Sequence, residues 1–496
     1  MFPLGPQIAR GVVVRTSRLL VALLLATASI VIAGVHAGAT PTVTGPTDID
    51  NEHFANNEES LGMDPSGQLL AGAWNDWEYN DGCGFQYSTD GGEHWAPETF
   101  VPGFTSFTND PNIPGTGRFA VAGDPSVVWN PKFGVFNVIC QAFGTKSGNQ
   151  IQLLATTFDP TKANPNADNN ASYGAAAWTS PVAITTGTSN GSQKGSNGKT
   201  PDHESILVDT SSAPGHHFGR LFVSWAEFNG KGSSPIDLSY SDDNGATWTG
   251  PIRVSDNGHQ FDQDARPSVA PNGDVYLTWI GSPNEKSLKN GTVEAARSTD
   301  GGATWSKTYV AAAIGSAVPG VLPNSNYRVF EDAWSVIDQA TGKLVIVFND
   351  NKTGASTLYS THTTAAGDLS SFSASAPLGS SAGKEQFFPW ISSAPNGRVD
   401  VVYFDRFCDS GNKLNCVRLS SSTDSGSTWS TVDVTSTGFD GDKFQACLAF
   451  VDPQPTCGTF FIGDYIAVSS TNDKAEILYT GDGENAMDVF HARVTF

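Results

Sequence analysis

Acidic residues recur at the starts of apolar, strand-like segments, and they are the residues of this sequence best suited to chemistry. The catalytic candidates are Asp124, Glu204, Asp332 and Asp464. A pair of carboxyl groups can hydrolyse a glycosidic bond when one donates a proton and the other acts as a base or nucleophile. Crowded carboxylates raise one another's pKa, so one of them can stay protonated near neutral pH.

Arginines occupy similar positions, and we expect Arg266, Arg328 and Arg406 to orient the ligand. The planar guanidinium donates two parallel hydrogen bonds to a carboxylate or a similar group. His203, Glu59, Glu331 and Glu385 lie close to the same segment starts. The alternative stays open for each acidic residue, because an acid at a strand start can simply accept hydrogen bonds from loop amides.

These positions belong to a repeat in which a short apolar strand, a turn and a more apolar second strand follow one another. The seven copies begin at Glu59, Asp124, Glu204, Arg266, Asp332, Gln386 and Asp464. Their spacing suits four-stranded blades, and the sequence therefore predicts an all-β, seven-bladed propeller, with six blades as the alternative. Successive strands of a blade are antiparallel, so the candidates should converge on one mouth of the central channel.

A second repeat, Ser-x-Asp-x-Gly-x-x-Trp, occurs at residues 88–95, 241–248, 298–305 and 422–429. Ser and Asp can bind backbone amides within a turn, Gly supplies a positive φ, and Trp covers the turn. The motif is the Asp-box, or BNR repeat, and the chain resembles the secreted sialidase-like β-propellers. In that family the box is structural and lies at the blade periphery, and the active centre lies at the channel.

The resemblance implies exo-sialidase-like hydrolysis of extracellular carbohydrate, but it does not carry over the catalytic set. Sialidases bind the substrate carboxylate with three arginines and use a Tyr activated by a Glu, with an Asp as acid/base. Their first arginine lies in an Arg-Ile-Pro motif, which this sequence lacks. Tyr327, Tyr403 and Tyr465 lie near predicted strand ends and match no family motif.

The N-terminus reads as a secretory signal over residues 1–37, with Arg10, Arg15 and Arg18 before a short apolar core. The alternative is a membrane anchor, because the apolar core nearly reaches spanning length. We expect residues 38–496 to form a single secreted propeller, closed by pairing of residues 40–44 with the last blade. This domain should be monomeric and, after signal cleavage, free of the membrane.

The charge and the cysteines restrict the partners. The formal net charge is −22, which disfavours binding to nucleic acid or acidic lipid. Six cysteines fit an oxidising compartment, and the simplest pairing is Cys408–Cys416, Cys447–Cys457 and, by elimination, Cys83–Cys140. No zinc-binding spacing is present, so we expect no catalytic metal and no cofactor, although residues 159–172 could hold a structural calcium ion.

The sequence therefore favours a glycoside hydrolase that acts at the channel mouth. Two alternatives remain: a non-catalytic propeller that binds a glycan or a protein, and a polysaccharide lyase that uses a Tyr or His base.

Overall fold

The structure is a computed structural model that describes residues 40–50, 54–77, 82–106, 117–144, 150–164, 172–188, 198–230, 232–258, 260–283, 291–381, 383–448 and 456–496. The predicted signal peptide, residues 1–37, lies outside these ranges, as does part of the predicted calcium loop at 159–172. Residues Pro41–Phe496 form one compact unit. Within the described ranges, no helix has the length and apolar character that a membrane span requires.

Seven four-stranded antiparallel sheets, numbered here as blades 1 to 7, make up this unit. Blade 1 contains β2 (Asn56–Met63), β3 (Leu70–Asp76), β4 (Gly82–Ser88) and β5 (Thr99–Phe100). Blade 2 contains β6 (Val121–Asn130), β7 (Val135–Phe143), β8 (Gln150–Phe158) and β9 (Val182–Thr188). Blade 3 contains β10 (Lys199–Val208), β11 (Leu221–Asn229), β12 (Ile236–Ser241) and β13 (Thr249–Arg253). Blade 4 contains β14 (Phe261–Val269), β15 (Val275–Ser282), β16 (Thr292–Ser298) and β17 (Tyr309–Ala313). Blade 5 contains β18 (Ala333–Ile337), β19 (Leu344–Asp350), β20 (Thr357–His362) and β21 (Ala376–Pro377). Blade 6 contains β22 (Gln386–Ser393), β23 (Val399–Asp405), β24 (Cys416–Ser422) and β25 (Ser430–Asp433). Blade 7 contains β28 (Ala467–Ser470), β29 (Lys474–Asp482), β30 (Met487–Thr495) and β1 (Thr42–Asp48). The prediction of a seven-bladed propeller is confirmed, and the six-bladed alternative is excluded.

The remaining regular elements of the described ranges are short. A hairpin of β26 (Ala446–Leu448) and β27 (Thr456–Thr459) precedes blade 7. Two single-turn 3₁₀ helices span Ala175–Ala177 and Arg406–Cys408.

The blades form a closed ring. Each inner strand contacts the inner strand of the next blade, and β28 of blade 7 contacts β2 of blade 1. The N-terminal strand β1 is the outer strand of blade 7, where Thr42 pairs with Thr495 and Asp48 with Phe490 of β30. The two ends of the described chain therefore belong to one sheet, so the ring cannot open without breaking that sheet.

The second strands carry the core, because each lies in a sheet that is covered by a neighbouring blade on both faces. In β3, β15, β19 and β23 every residue is buried, which explains their continuous apolar runs. The outer strands β13, β17 and β25 are mostly exposed or partly exposed. Three second strands bury a tryptophan whose indole N–H donates to a glutamate: the pairs are Trp74–Glu98, Trp225–Glu227 and Trp279–Glu294.

The four Ser-x-Asp-x-Gly-x-x-Trp segments form turns with the same hydrogen bonds, between the third and fourth strands of their blades. At 298–305, the Ser298 hydroxyl donates to Asp300 Oδ1 at 2.7 Å and accepts from the Gly302 amide at 2.8 Å. Asp300 also accepts from the Thr304 amide at 2.8 Å, and Trp305 Nε1 donates to the Gly302 carbonyl at 3.1 Å. The first two bonds recur in the other three turns. These turns lie at the outer edge of the ring, away from the channel.

Two disulfides follow the simplest pairing. Cys83 of blade 1 is bonded to Cys140 of blade 2, with the two Cα atoms 6.8 Å apart, and Cys408 is bonded to Cys416 within blade 6. These two predicted pairs are confirmed. Cys447 and Cys457 are cross-strand partners in the backbone of the β26–β27 hairpin, and their side chains lie outside the described part of the structure.

We predict that Asp300→Ala lowers the free energy of unfolding by about 1 kcal/mol at pH 7, because an exposed turn loses its central hydrogen-bond acceptor. Although burial acts in the opposite direction, the bonds from Thr304 and Ser298 lower the pKa of Asp300. The contribution is therefore present at neutral pH and is lost as the pH falls through this lowered pKa. Urea denaturation measures it. Thr299→Ala at the neighbouring exposed position should stay within about 0.5 kcal/mol of the parent, and an equal loss in both variants would contradict the prediction.

Candidate active site at the channel mouth

Bulges in the inner strands aim polar side chains at the mouth of the channel. The pairing register slips by one residue in β2, β6, β10, β14 and β22. The first bulged residue in each has a left-handed backbone: Glu58 (φ 62°), Asp124 (52°), His203 (55°), Asp264 (59°) and Phe388 (49°). Such a conformation is uncommon outside glycine, and a bulge redirects the side chain it carries. The repetition produces a ring of side chains at one end of the channel.

Three carboxylates of this ring crowd together where blades 2 and 3 meet. One carboxylate oxygen from each of Asp124, Asp202 and Glu204 lies within 4.8 Å of the others. Glu204 is buried, and neither of its carboxylate oxygens has a hydrogen-bond partner. Burial, followed by the negative charges of Asp124 and Asp202, raises the pKa of Glu204 well above its usual value.

Glu58 extends the acidic cluster into blade 1. Its Oε2 accepts a hydrogen bond from Asn75 Nδ2 at 2.5 Å, and Asn75 Oδ1 accepts from the Asp124 amide at 2.7 Å. Asn75 therefore ties the bulge of blade 2 to that of blade 1. Burial and the charges of Asp124 and Asp464 raise the pKa of Glu58 well above its usual value.

Two cations at the mouth are already paired with other acids. The Arg328 guanidinium makes two hydrogen bonds to the Asp464 carboxylate, one of them 2.8 Å long, and stacks 4.8 Å from the Phe461 ring centroid. Its side chain is 58% exposed, so it can contact a ligand. His203 Nδ1 lies 3.0 Å from Asp264 Oδ1. Burial alone would lower the pKa of His203, but the charges of Asp264 and Asp202 raise it to about 10.

Below the acids, a layer of side chains from four blades crosses the channel. The Arg266 guanidinium carbon lies 3.7 Å from the Trp334 ring centroid, and Trp334 lies 3.7 Å from Trp390 between centroids. Trp390 contacts Tyr465 at 5.8 Å, and the Tyr465 hydroxyl donates to the Pro125 carbonyl of blade 2 at 3.5 Å. We call Arg266, Trp334, Trp390 and Tyr465 the floor.

The floor separates the acids from a cavity of about 330 Å³ in the other half of the channel. The second halves of the inner strands line that cavity, together with Ser211, His216 and Gln339 from loops of the opposite face.

Asp332 is attached to the floor from the acidic side. Its Oδ2 accepts a hydrogen bond from Trp334 Nε1, and its buried Oδ1 has no hydrogen-bond partner. Burial and the neighbouring charge of Asp264 raise the pKa of Asp332 to about 8, against the opposing effect of Arg266. This raised pKa favours the protonated form of the carboxyl group.

The structure brings together the four predicted carboxyl groups and two of the three predicted arginines. Asp124, Glu204, Asp332, Asp464 and Arg328 lie at the mouth, and Arg266 forms part of the floor. Of the tyrosines that were considered, Tyr465 lies in the floor. Tyr327 and Tyr403 are fully buried and bonded to Asn415 and Ser420 respectively.

Arg406 lies elsewhere, contrary to the expectation that it orients the ligand. Its guanidinium is fully buried, and all of its N–H groups are used within the protein. The acceptors are Asn415 Oδ1, the carbonyls of Pro323 and Asn412, the Ser325 hydroxyl and the Tyr327 hydroxyl. Arg406 holds loops together, so we leave it out of the proposed site.

Asp350, at the end of β19, and the predicted rim acids Glu331 and Glu385 serve loop amides, which is the structural alternative that the sequence left open. Asp350 accepts from the amides of Gly315 and Ser316, both at 2.9 Å. Glu385 accepts from the Ser356 amide at 2.7 Å, and Glu331 from the Val318 amide. These acids stabilise the loops of the rim and are not available to a ligand.

Sequence reasoning missed Glu58, Asp202 and Asp264 and chose Glu59 instead of Glu58. The bulge turns Glu59 away from the mouth, where its Oε1 accepts from the Thr480 hydroxyl of blade 7 at 2.5 Å. A signal that could have found Glu58 is the recurrence of an acid or His two residues before the Ser of the repeat, at Glu58, Asp124 and His203.

Comparisons with known proteins support the fold of this chain and do not identify a specific activity. No family model and no curated protein matches the chain. A polysaccharide lyase of family PL25, an ulvan lyase, has a TM-score of 0.50 with 9% identity, over 90% of this chain and 95% of that one. A protein of unknown function from Dyadobacter fermentans has a TM-score of 0.49 with 12% identity over 92% and 99%. NanB sialidase from Streptococcus pneumoniae has 0.39 with 13% identity over 73% and 66%. The chain is thus similar in architecture to a carbohydrate-active propeller.

We predict that Asp332→Asn flattens the pH dependence of stability. Because folding raises the pKa of Asp332, this residue's contribution to stability is present at low pH and declines as the pH rises from about 4 towards about 8. The parent should therefore lose about 3 to 4 kcal/mol more than the variant between pH 5 and pH 8. Urea denaturation at both pH values measures the difference. Parallel pH curves for the two proteins would mean that Asp332 is ionised in the folded state.

Proposed function

We propose that this protein is an exported glycoside hydrolase that cleaves extracellular carbohydrate at the acidic channel mouth. The observation that carries the proposal is the gathering of carboxyl groups from separate blades at one mouth, where oxygens of Glu204 and Asp332 have no hydrogen-bond partner. Buried acids that only support loops would be bonded to amides, as Asp350 is. Buried polar groups without partners are costly to a fold and are typical of functional sites.

Hydrolysis of a glycosidic bond needs one protonated and one ionised carboxyl group. The environments of Asp332 and Asp464 differ in the required way. Asp332 accepts from an indole and has a pKa near 8, which suits an acid. Burial raises the pKa of Asp464, and the bidentate Arg328 guanidinium opposes that shift and favours the ionised form. Asp124 and Glu204 are the other two candidates.

The surroundings of the acids also suit a sugar. Phe330 is partly exposed, with its ring 6.0 Å from His203 and 5.7 Å from Phe388 between centroids, and Phe461 lies under the exposed Arg328. Ligand sites combine aromatic surfaces of this kind with a few convergent polar groups. Neutral glycans are the expected substrates, because an anionic sugar would meet carboxylates while His203 and Arg328 are already paired with acids.

The same charge balance favours hydrolysis over the lyase alternative. A lyase needs a base such as His203 or Tyr465 and cations that neutralise a uronate. His203 is paired with Asp264 and Arg328 with Asp464, and Arg266 lies in the floor against Trp334, 3.9 Å from Asp264. Each of these three cations therefore already lies beside an acid. Two disulfides support the proposed export, because such bonds persist in oxidising compartments. That the protein acts as a monomer stays a prediction.

The test is incubation of the purified protein with a panel of neutral, acidic and amino-sugar glycans, followed by measurement of reducing ends and unsaturated products. We predict release of reducing sugar, and a loss of roughly 100-fold or more in Asp332→Asn and Asp464→Asn. Asp124→Asn and Glu204→Gln are measured beside them. The matched control is Asp300→Ala at the ring periphery, which should keep full activity.

Three other outcomes would contradict the proposal. Unsaturated products would identify a lyase. Binding of a glycan without any product would identify a binding propeller. Undiminished release by all four carboxyl variants would place the chemistry at another site.

A further inference from the structure

The cluster of Asp124, Asp202 and Glu204 has a feature that the proposed hydrolysis does not explain. The three residues come from the adjacent inner strands β6 and β10 and offer oxygen atoms alone. Asp202 Oδ1 accepts from the His203 amide at 3.0 Å and from Gln141 Nε2 at 3.4 Å, which fixes the orientation of that carboxylate. The candidate oxygens of the three residues lie within 4.8 Å of one another.

Glu204 provides an independent indication of a ligand. Its relative exposure is 6%, and both carboxylate oxygens lack a hydrogen-bond partner. The cations on either side are held by other acids, since His203 pairs with Asp264 and Arg328 with Asp464. A buried carboxylate beside two others is stable when a cation balances its charge.

We propose that Asp124, Asp202 and Glu204 together bind one divalent cation, and that this cation is calcium. Hard cations take carboxylate oxygens, and opposite oxygens around Ca²⁺ lie about 4.6 to 5.2 Å apart. The three oxygens all lie within 4.8 Å of one another, so one ion of this size can contact all of them. Mg²⁺ usually keeps several waters and takes only one or two protein carboxylates, so a group of three carboxylates favours calcium. This site is distinct from residues 159–172, where the sequence suggested a calcium loop.

A bound calcium ion would also give the carboxyl groups different roles. Ca²⁺ takes six to eight oxygens, so positions remain for water or for sugar hydroxyl groups at the mouth. Asp124 and Glu204 would then hold the cation and leave Asp332 and Asp464 for the proton transfers. This division of roles rests on the proposed function, whereas the binding of calcium does not.

Calorimetric titration of the purified, chelator-treated protein with CaCl₂ tests the proposal. The wild type should bind calcium, and Glu204→Gln and Asp202→Asn should each weaken that binding at least about tenfold, because each removes a charged ligand. Glu484→Gln, an exposed acid in a turn of blade 7, is the matched control and should bind as the wild type does. Calcium should raise the melting temperature of the wild type and of Glu484→Gln but not of Glu204→Gln.

A second acidic group provides the decisive comparison. Oxygens of Asp48, Asp50 and Asp488, near the closure of blade 7, also lie within 4.8 Å of one another. If Asp50→Asn abolishes calcium binding and Glu204→Gln does not, the cation belongs there and the proposal is wrong. Absence of calcium binding by the wild type would equally overturn it. Calcium binding without sugar release would contradict only the proposed hydrolysis. Sugar release without calcium binding would contradict only the proposed calcium site.

Discussion

Repulsion between carboxylates at the channel mouth is the main constraint that the rest of this structure has to satisfy. At least four acids of blades 1 to 3 face one another there, and burial weakens the screening that water would provide. They stay together because each belongs to an inner strand that is fixed between two neighbours. That arrangement depends in turn on the sheet in which β1 pairs with β30, since this sheet joins the two ends of the ring. The stability of the sheet that closes the ring therefore offsets the repulsion between the carboxylates at the mouth.

The architecture could be predicted from the sequence because it is repetitive. The seven copies of the strand pattern predicted seven blades, and the four Ser-x-Asp-x-Gly-x-x-Trp segments predicted turns that the structure builds from the same hydrogen bonds. Each copy supports the others, so an error in one boundary does not change the count. Local spacing was also enough for the Cys408–Cys416 bridge.

The site was predicted less well, because side-chain direction depends on single-residue shifts in register. The bulge at Glu58 decides that this residue, and not Glu59, faces the mouth, and the two glutamates are adjacent in the sequence. Arg406 shows a different limit. It follows a strand end as a ligand-binding arginine would, but three of its N–H groups bind residues 323–327, about 80 positions earlier in the chain. No local pattern reports such contacts.

The floor of Arg266, Trp334, Trp390 and Tyr465 has a consequence for traffic through the ring. Because these side chains stack across it, the channel is divided into two chambers, one on each side of the floor. One chamber is acidic and opens at the strand starts; the other is lined by serines and aliphatic side chains and opens on the opposite face. A polymer that passed from one face to the other would have to displace these stacked side chains.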